Sequence, residues 1–178
     1  GEDGTLKRIE FTGEDQFNFA FDVVDALADK YPDKLAMLHL DKHKQERKFT
    51  FRDMKRLSAQ AANYFKSLGV KKGDRVMLVL KRHWEFWPAI LGLHKLGAIA
   101  IPATNQLQAH DFEYRFQSAG VSAILCTCDG DTAHQVDLAA ASCPELKVKI
   151  AVGGSREGWH DYDGESVLFT RKYDRPED

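Results

Sequence analysis

The chain has 178 residues, 43% of them apolar, which is enough for one domain with its own hydrophobic core spanning residues 1–178. Twenty-five basic and 27 acidic residues give a formal net charge of −2, so the chain lacks the basic excess typical of nucleic-acid-binding proteins. No stretch reaches the roughly 20 apolar residues of a membrane span, and the N-terminal residues lack a basic and apolar leader, which predicts a cytoplasmic protein.

The first 70 residues are predicted to form a helix, a hairpin and a second helix. Residues 15–30 carry apolar side chains at helical spacing. Residues 35–40 and 45–51 are short runs joined by a charged tip, which predicts an antiparallel β-hairpin. Thr50 and Asp53 then have the spacing of a capping box, and helical periodicity continues to Gly69, a residue type that commonly ends helices.

Strands and helices alternate from residue 75 onward. The predicted strands are residues 75–80, 98–102, 121–127 and 147–153, and the predicted helices are residues 83–96, 109–119 and 131–142. Because a parallel neighbour is reached only by a crossover, this alternation predicts an α/β fold with a mostly parallel sheet, flanked by helices on both faces, beside the hairpin. Beyond residue 154 neither period is present, so the tail is predicted to be irregular.

Open parallel sheets bind ligands at the carboxyl ends of their strands. The corresponding segments are residues 81–84, 103–108, 128–132 and 153–158. The last of these has the glycines of a phosphate-binding loop, but Trp159 and His160 follow where such a loop has lysine and serine or threonine. A surface turn is therefore the prediction for residues 153–158.

The cysteine and histidine patterns do not favour a metal site. Cys126, Cys128 and Cys143 are an odd number, which argues against a disulfide framework, and no second Cys/His pair lies at zinc-ligand spacing. Buried thiols are the better interpretation. His39 and His43 are four residues apart, but on a hairpin this spacing does not bring the two rings together.

No catalytic residue is predicted from the sequence. The chain has no Gly-x-Ser-x-Gly elbow for a serine nucleophile. Carboxylate pairs can be drawn among acids in polar segments, where solvation is the expected state rather than the burial or pairing that shifts a catalytic pKa. These acids are Glu10, Glu14, Asp15, Asp161 and Asp163.

Four further side chains have both a functional and a structural interpretation. The aromatic residues Trp84, Phe86 and Trp87 could line a pocket, although aromatics on a helix more often pack onto a sheet. Arg115, inside the predicted helix 109–119, is most simply a solvent-facing residue with a surface ion pair.

Several phrases, in their order and spacing, resemble the N-terminal part of AMP-forming acyl-CoA synthetases. The resemblance is to the medium-chain branch of the adenylate-forming superfamily and runs from about residue 17 to residue 162. The phrases include FNFAFDVVD at residues 17–25, YPDK at 31–34, LGVKKGDRV at 68–76, EFW at 85–87 and EYRFQ at 113–117.

The resemblance implies a ligase and places this chain in the first subdomain of its large N-terminal domain. Enzymes of this family use ATP, Mg²⁺ and coenzyme A to convert a carboxylic acid to an acyl-CoA through an acyl adenylate. Their phosphate-holding loop and catalytic lysine come later in the sequence and have no match here, so the chain by itself is expected to be inactive and to bind no cofactor. By the same resemblance, Arg115 approaches the phosphates of coenzyme A.

Two alternatives stay open at this stage. A free-standing α/β module that binds a nucleotide or another small molecule would show the same alternation of elements, because a fold does not fix a function. Within the family, an acetyl- or aryl-CoA synthetase would share this opening. The chain starts at Gly1 and ends in a polar segment, which is typical of a piece of a longer protein, although processing would leave a similar start. Such a piece would expose apolar surface and self-associate.

Overall fold

The N-terminal helix begins later than the sequence pattern predicts. In this computed structural model, which describes Ile9, Gly13 and residues 15–177, a π-helical turn at Ala20–Asp25 leads into α1 (Ala26–Lys30). The side-chain oxygen of Asn18 accepts a hydrogen bond of 3.0 Å from the backbone N–H of Ala20. This contact satisfies an amide that has no partner inside the helix, so the helix starts after Asn18.

The predicted hairpin is confirmed and leads directly into the longest helix. β1 (Leu35–Leu40) pairs antiparallel with β2 (Glu46–Thr50), and α2 (Phe51–Ser67) follows. The capping box at the start of α2 is present: Asp53 N–H donates to Thr50 Oγ1 at 3.2 Å, and Thr50 N–H donates to Asp53 Oδ2 at 2.9 Å. These two bonds explain why strand changes to helix without a connecting loop.

Across the described residues, the main sheet has five strands, all of them parallel, in the order β4-β3-β5-β6-β7. Its strands are β3 (Arg75–Val79), β4 (Ile99–Pro102), β5 (Val121–Thr127), β6 (Val148–Val152) and β7 (His160–Asp161). The helices between them are α3 (Phe86–Leu96), α4 (Ala109–Ala119) and α5 (Thr132–Ala140). The predicted α/β class is therefore confirmed.

Helices cover both faces of this sheet. Val76 and Leu78 of β3 face one way and pack with α2 and α3 in one buried cluster. Met77 and Val79 face the other way and pack with α4 and α5 in a second cluster. Because helices bury both faces of β3, successive residues of this strand are apolar. A third, smaller cluster joins the hairpin and the N-terminal helix to α2 and α3.

A buried ion pair attaches the N-terminal helix to α3. The ammonium of Lys95 donates to both carboxylate oxygens of Asp25, at 2.8 and 3.0 Å, and Lys95 is only 2% exposed. Burial raises the pKa of Asp25 and lowers the pKa of Lys95, while the ion pair opposes both shifts. Each charge is thus compensated by the other.

The tail has more order than the sequence predicts. Besides β7, it forms a four-residue helix, α6 (Tyr162–Glu165), and a single 3₁₀ turn at Ser166–Leu168. Tertiary contacts hold these short elements: Glu165 accepts hydrogen bonds from the hydroxyl of Tyr64 at 3.0 Å and from the N–H of Asp161 at 3.1 Å. Within the described residues, no helix is long and apolar enough to cross a membrane.

Candidate functional site

A cleft of about 820 Å³ opens at the carboxyl edge of the sheet. The loops after β3, β4 and β5 form one side of it, and the tip of the β1–β2 hairpin forms the other. Three of the four segments expected at this edge therefore meet in one cavity. The fourth, residues 153–158, is the predicted surface turn, and Arg156 holds it against α5 through a 2.7 Å contact from its Nε to Asp137.

The segment that leaves β3 and the tip of the hairpin each carry several polar groups of the cleft. Lys81 and Arg82 supply two cations, and Thr104 and Asn105, after β4, supply uncharged donors and acceptors. Lys42 of the hairpin is a third cation, and Asp41, Glu85 and Asp129 are acids of the same lining. The cations and uncharged donors are the groups that would contact an anionic ligand such as a phosphate or a carboxylate. The described residues include no group of three or more histidines, cysteines or acids placed to hold a metal ion.

Contacts with neighbouring strands and loops hold the side chain of His83 in place. A hydrogen bond of 2.8 Å joins its Nε2 to Oγ1 of Thr127, the last residue of β5. Gly153 passes so close that a Cβ there would lie 2.9 Å from the Cε1 of His83, and its φ of +77° also favours glycine. Burial lowers the pKa of His83, so the neutral imidazole is favoured at this edge.

Glu85 is a buried acid with one unpaired oxygen. It is 7% exposed, and its Oε2 has no hydrogen-bond partner among the described residues, although the carboxyl accepts a hydrogen bond from its own backbone N–H. Burial raises its pKa from the ordinary value of 4.5 to about 7. The nearest cationic candidate is His83, whose Nδ1 lies 3.9 Å from Oε2, beyond hydrogen-bond distance. A buried carboxyl left in this state is a candidate for ligand binding or proton transfer.

The hairpin closes the cleft through an aromatic and cationic stack. The guanidinium of Arg47 lies 4.1 Å from the ring centre of Trp84 and 4.8 Å from that of Phe49. The two rings stack on each other with 5.1 Å between their centres. In addition, the Nε2–H of His39 donates to the backbone carbonyl of Arg82 at 2.7 Å. These contacts fix the hairpin against the loop after β3.

The three aromatic candidates have different environments. Trp84 lines the cleft, Phe86 packs against the core, and Trp87 is 52% exposed. A pocket role thus fits only Trp84. Among the thiols, Cys126 and Cys143 are buried as predicted, whereas Cys128 is half-buried and donates a hydrogen bond of 3.4 Å to the carbonyl of Gly154.

The candidate acids that the structure describes do not form a catalytic site. Glu10 and Glu14 lie outside the described residues, and Asp15 is exposed. Asp163 accepts a 2.8 Å hydrogen bond from the backbone N–H of Gly153, and Asp161 accepts one of 3.1 Å from the N–H of Asp163. Both residues therefore fix the backbone of the tail.

Arg115 lies near the middle of α4 and is half-exposed. Its Nη1 donates to the carbonyl of Asp111 at 3.1 Å and lies 3.8 Å from that residue's carboxylate. This is the surface ion pair expected from the sequence. Arg115 does not line the cleft, and its contact with coenzyme A stays a prediction.

The sequence did not single out Glu85, His83 or Thr127. Glu85 was used only as part of the EFW phrase, because nothing in a sequence shows that one acid among many is buried. The available signal is its position directly after residues 81–84, the segment that follows a predicted buried strand and is expected to meet ligands. Exposed apolar side chains, including Trp87, Ile99 and Leu168, provide the kind of surface that the predicted self-association needs, but that association is untested.

The sequence profile of the AMP-binding enzyme family matches residues 24–176 of the chain. This chain belongs to that family. The fold, the cleft at the carboxyl edge and the match thus agree with the resemblance predicted from the sequence phrases.

Curated relatives in this family are acyl-CoA synthetases by name. The chain is 35% identical over 155 residues to the mouse mitochondrial acyl-coenzyme A synthetase ACSM1, and the match covers 83% of this chain and 27% of that protein. It is 36% identical over 168 residues to human ACSM1, covering 90% and 29%. The chain therefore spans between a quarter and a third of the length of these relatives.

Solved structures of acyl-CoA ligases share the fold. The anthranilate CoA ligase AuaEII, solved with anthranoyl-AMP, matches with a TM-score of 0.77 at 21% identity, covering 90% of this chain and 29% of that one. The acetoacetyl-CoA synthetase of Streptomyces lividans matches with a TM-score of 0.76 at 21% identity, covering 86% and 25%. At this identity the likeness concerns the fold alone.

Proposed function

We propose that this chain is the opening part of an AMP-forming acyl-CoA synthetase. The whole protein would join a carboxylic acid to coenzyme A at the expense of ATP, releasing AMP and pyrophosphate. The observation that carries the proposal is the match to acyl-CoA synthetases along most of this chain. The free-standing binding module predicted as an alternative has no comparable support.

The carboxyl edge of the sheet supports this proposal chemically. Both steps of the reaction involve anions, since the acid's carboxylate attacks the α-phosphate of ATP and the thiolate of coenzyme A then displaces AMP from the acyl adenylate. Lys81 and Arg82 are cations that could contact such groups in a cleft whose lining also includes acids, and Trp84 provides an apolar wall. Mg²⁺, if bound by the whole protein, would offset charge on the phosphates.

The proposal assigns no complete active site to these residues. We expect the groups that grip the triphosphate to come from the rest of the protein, because the 178 residues lack a Gly/Ser/Thr-rich loop with lysine. Arg115 is proposed to contact a phosphate of coenzyme A, as the family resemblance implies. A cytoplasmic location stays the prediction from composition, whereas the relatives named above are mitochondrial by name.

Carboxylate-dependent exchange of labelled pyrophosphate into ATP tests the proposal. The full-length protein should catalyse exchange with at least one acid from a panel of acetate, hexanoate, octanoate and benzoate, which also addresses the acyl group. This 178-residue chain assayed alone should show none. Exchange by the chain alone would refute the assignment of the phosphate-binding groups, and its absence from the full-length protein with every acid would refute the ligase proposal.

A further inference from the structure

A groove of about 530 Å³ lies between α2, the N-terminal helix and the tail. Among the described residues, it shares no lining side chain with the main cleft. Its volume lies within the range of about 300–1,000 Å³ that is usual for small-molecule sites. Seven of its lining residues are lysines or arginines and three are aspartates, so positive charge predominates in the groove.

Five of the seven cations already have an acid as partner. Each of the three aspartates in the lining pairs with one lysine, and two of the arginines pair with aspartates just outside the groove. The pairs are Lys95–Asp25, Lys55–Asp29, Lys172–Asp174, Arg52–Asp33 and Arg175–Asp22, with N–O distances between 2.5 and 3.7 Å. The acids of the groove are therefore compensated by cations of the chain itself.

The remaining two cations, Arg56 and Arg171, are uncompensated. Both are exposed, and neither forms an ion pair within the described part of the chain. Arg171 also lines a smaller cavity of about 320 Å³, which shares Glu85 with the main cleft. The groove thus has two guanidinium groups whose positive charges no acid of the described chain offsets.

Hydrogen bonds from α2 hold the tail in place beside this helix. The side-chain amide of Asn63 donates to the carbonyls of Thr170 and Lys172 at 3.0 and 2.9 Å, on either side of Arg171. Arg56 lies seven residues before Asn63, on the same face of α2. The backbone that carries each free guanidinium is therefore fixed, one on the helix and one on the tail.

Apolar side chains form another part of the lining. Ala28 and Ala59 are buried at the groove, and the rings of Phe21 and Tyr173 stack with their centres 6.5 Å apart. These groups offer a surface for the carbon skeleton of a small ligand, next to the charged groups.

We propose that this groove binds the phosphate group of a small phosphorylated molecule, with its oxygens on the guanidinium groups of Arg56 and Arg171. A phosphate dianion matches two positive charges, and its oxygens accept hydrogen bonds from planar N–H forks in bidentate geometry. A carboxylate, with one charge, would leave one arginine uncompensated. This inference goes beyond the proposed function, because it concerns a different cavity.

Calorimetric titration of this chain tests the proposal. The probes are inorganic phosphate, pyrophosphate and glycerol 3-phosphate at pH 8, where phosphate groups carry close to two charges, and acetate is the singly charged control. Ionic strength is held constant, because salt screens exposed charges. At least one phosphate probe should bind about tenfold more tightly than acetate. Arg56→Gln and Arg171→Gln should each weaken that binding about tenfold or more, the size expected for a lost charged hydrogen bond.

Lys66→Gln is the matched control. It removes one positive charge from an exposed position of α2 that does not line the groove, so it should leave the binding unchanged. Both arginines are exposed, so their variants test the groove without disturbing the core. Acetate binding as tight as that of the phosphate probes, binding that either arginine variant leaves unchanged, an equal loss with Lys66→Gln, or no binding of any phosphate probe would each overturn the proposal.

Discussion

Two buried carboxyl groups in this chain have opposite surroundings. Asp25 lies between the N-terminal helix and α3, where the ammonium of Lys95 reaches both of its oxygens. Glu85 lies at the carboxyl edge of the sheet, where one of its oxygens has no hydrogen-bond partner in the described part of the chain. Burial raises the pKa of both acids, but only Asp25 has a cation placed to oppose that shift through hydrogen bonds.

This difference in pairing indicates a structural role for Asp25 and makes Glu85 a candidate functional residue. A buried ion pair costs desolvation energy that a complementary partner largely offsets, and it holds two elements in one relative position. A buried acid with an unpaired oxygen has the same kind of desolvation cost, but it does not hold two elements together. Such groups concentrate at functional sites, which is consistent with the position of Glu85 between two cavities.

The largest effect on stability is expected from removing one partner of the buried Asp25–Lys95 ion pair. Lys95→Met would leave Asp25 buried without a cation, and removal of one partner from a buried pair costs about 3–5 kcal/mol of stability. Urea unfolding of the variant at pH 7 measures this loss as a lower midpoint.

The double variant Asp25→Leu with Lys95→Met is the control for that experiment. It removes the orphaned charge as well, so we expect it to recover most of the lost stability. A single variant within about 1 kcal/mol of the unmodified chain would show that the pair behaves like an exposed ion pair and contradict the comparison.

Glu85, the buried acid with an unpaired oxygen, should have a smaller effect on stability, and that effect should depend on pH. The folded-state pKa of about 7 lies above the ordinary value of 4.5, so the folded chain holds a proton that the unfolded chain has lost between these values. The titration of Glu85 therefore lowers the free energy of unfolding by about 3 kcal/mol as the pH rises from 4.5 to 7, and this loss persists above pH 7.

Glu85→Gln removes this titration. Relative to the unmodified chain, the variant should gain stability as the pH rises from 5 to 8, as measured by the free energy of unfolding at several pH values. Glu157→Gln, at an exposed position, should follow the unmodified chain. A difference between Glu85→Gln and the unmodified chain that stays constant across this range would show that Glu85 is already ionised at low pH.

The smallest effect on stability is expected at a solvated charge. Arg115 is half-exposed and, within the part of the chain that the structure describes, pairs only with Asp111 on the same helix, so Arg115→Ala should change stability by less than about 0.5 kcal/mol. In the full-length protein, however, loss of a phosphate contact would raise the KM for coenzyme A about tenfold. An unchanged KM for coenzyme A, measured beside the KM for ATP, would leave Arg115 as a surface residue alone.

Local sequence patterns predicted the regular elements with good accuracy. The bounds of α4 and β5 are those expected, and the Thr50–Asp53 capping box begins α2 as predicted. The misses have physical causes. α3 begins at Phe86 rather than at residue 83, because residues 83–85 form the wall of the cleft, with His83 bound to Thr127 across the sheet.

The tail illustrates the limit of pattern analysis. α6 has four residues, too few for a helical period to be recognised, and β7 has two. β7 is held by its pairing with β6, and α6 by contacts with residues about a hundred positions earlier, such as the Tyr64–Glu165 hydrogen bond. Pairing at such a distance leaves no periodic trace in the local sequence.

The sequence by itself determined the α/β class, the parallel sheet, the hairpin and the resemblance to acyl-CoA synthetases, because periodicity, capping residues and ordered phrases are local properties of a chain. Only the tertiary structure decided which charges are buried and which of them are paired. Asp25 and Glu85 are both acids near apolar residues in sequence, and their difference arises from what distant elements bring to each: an ammonium from α3 to one, and an open cavity to the other.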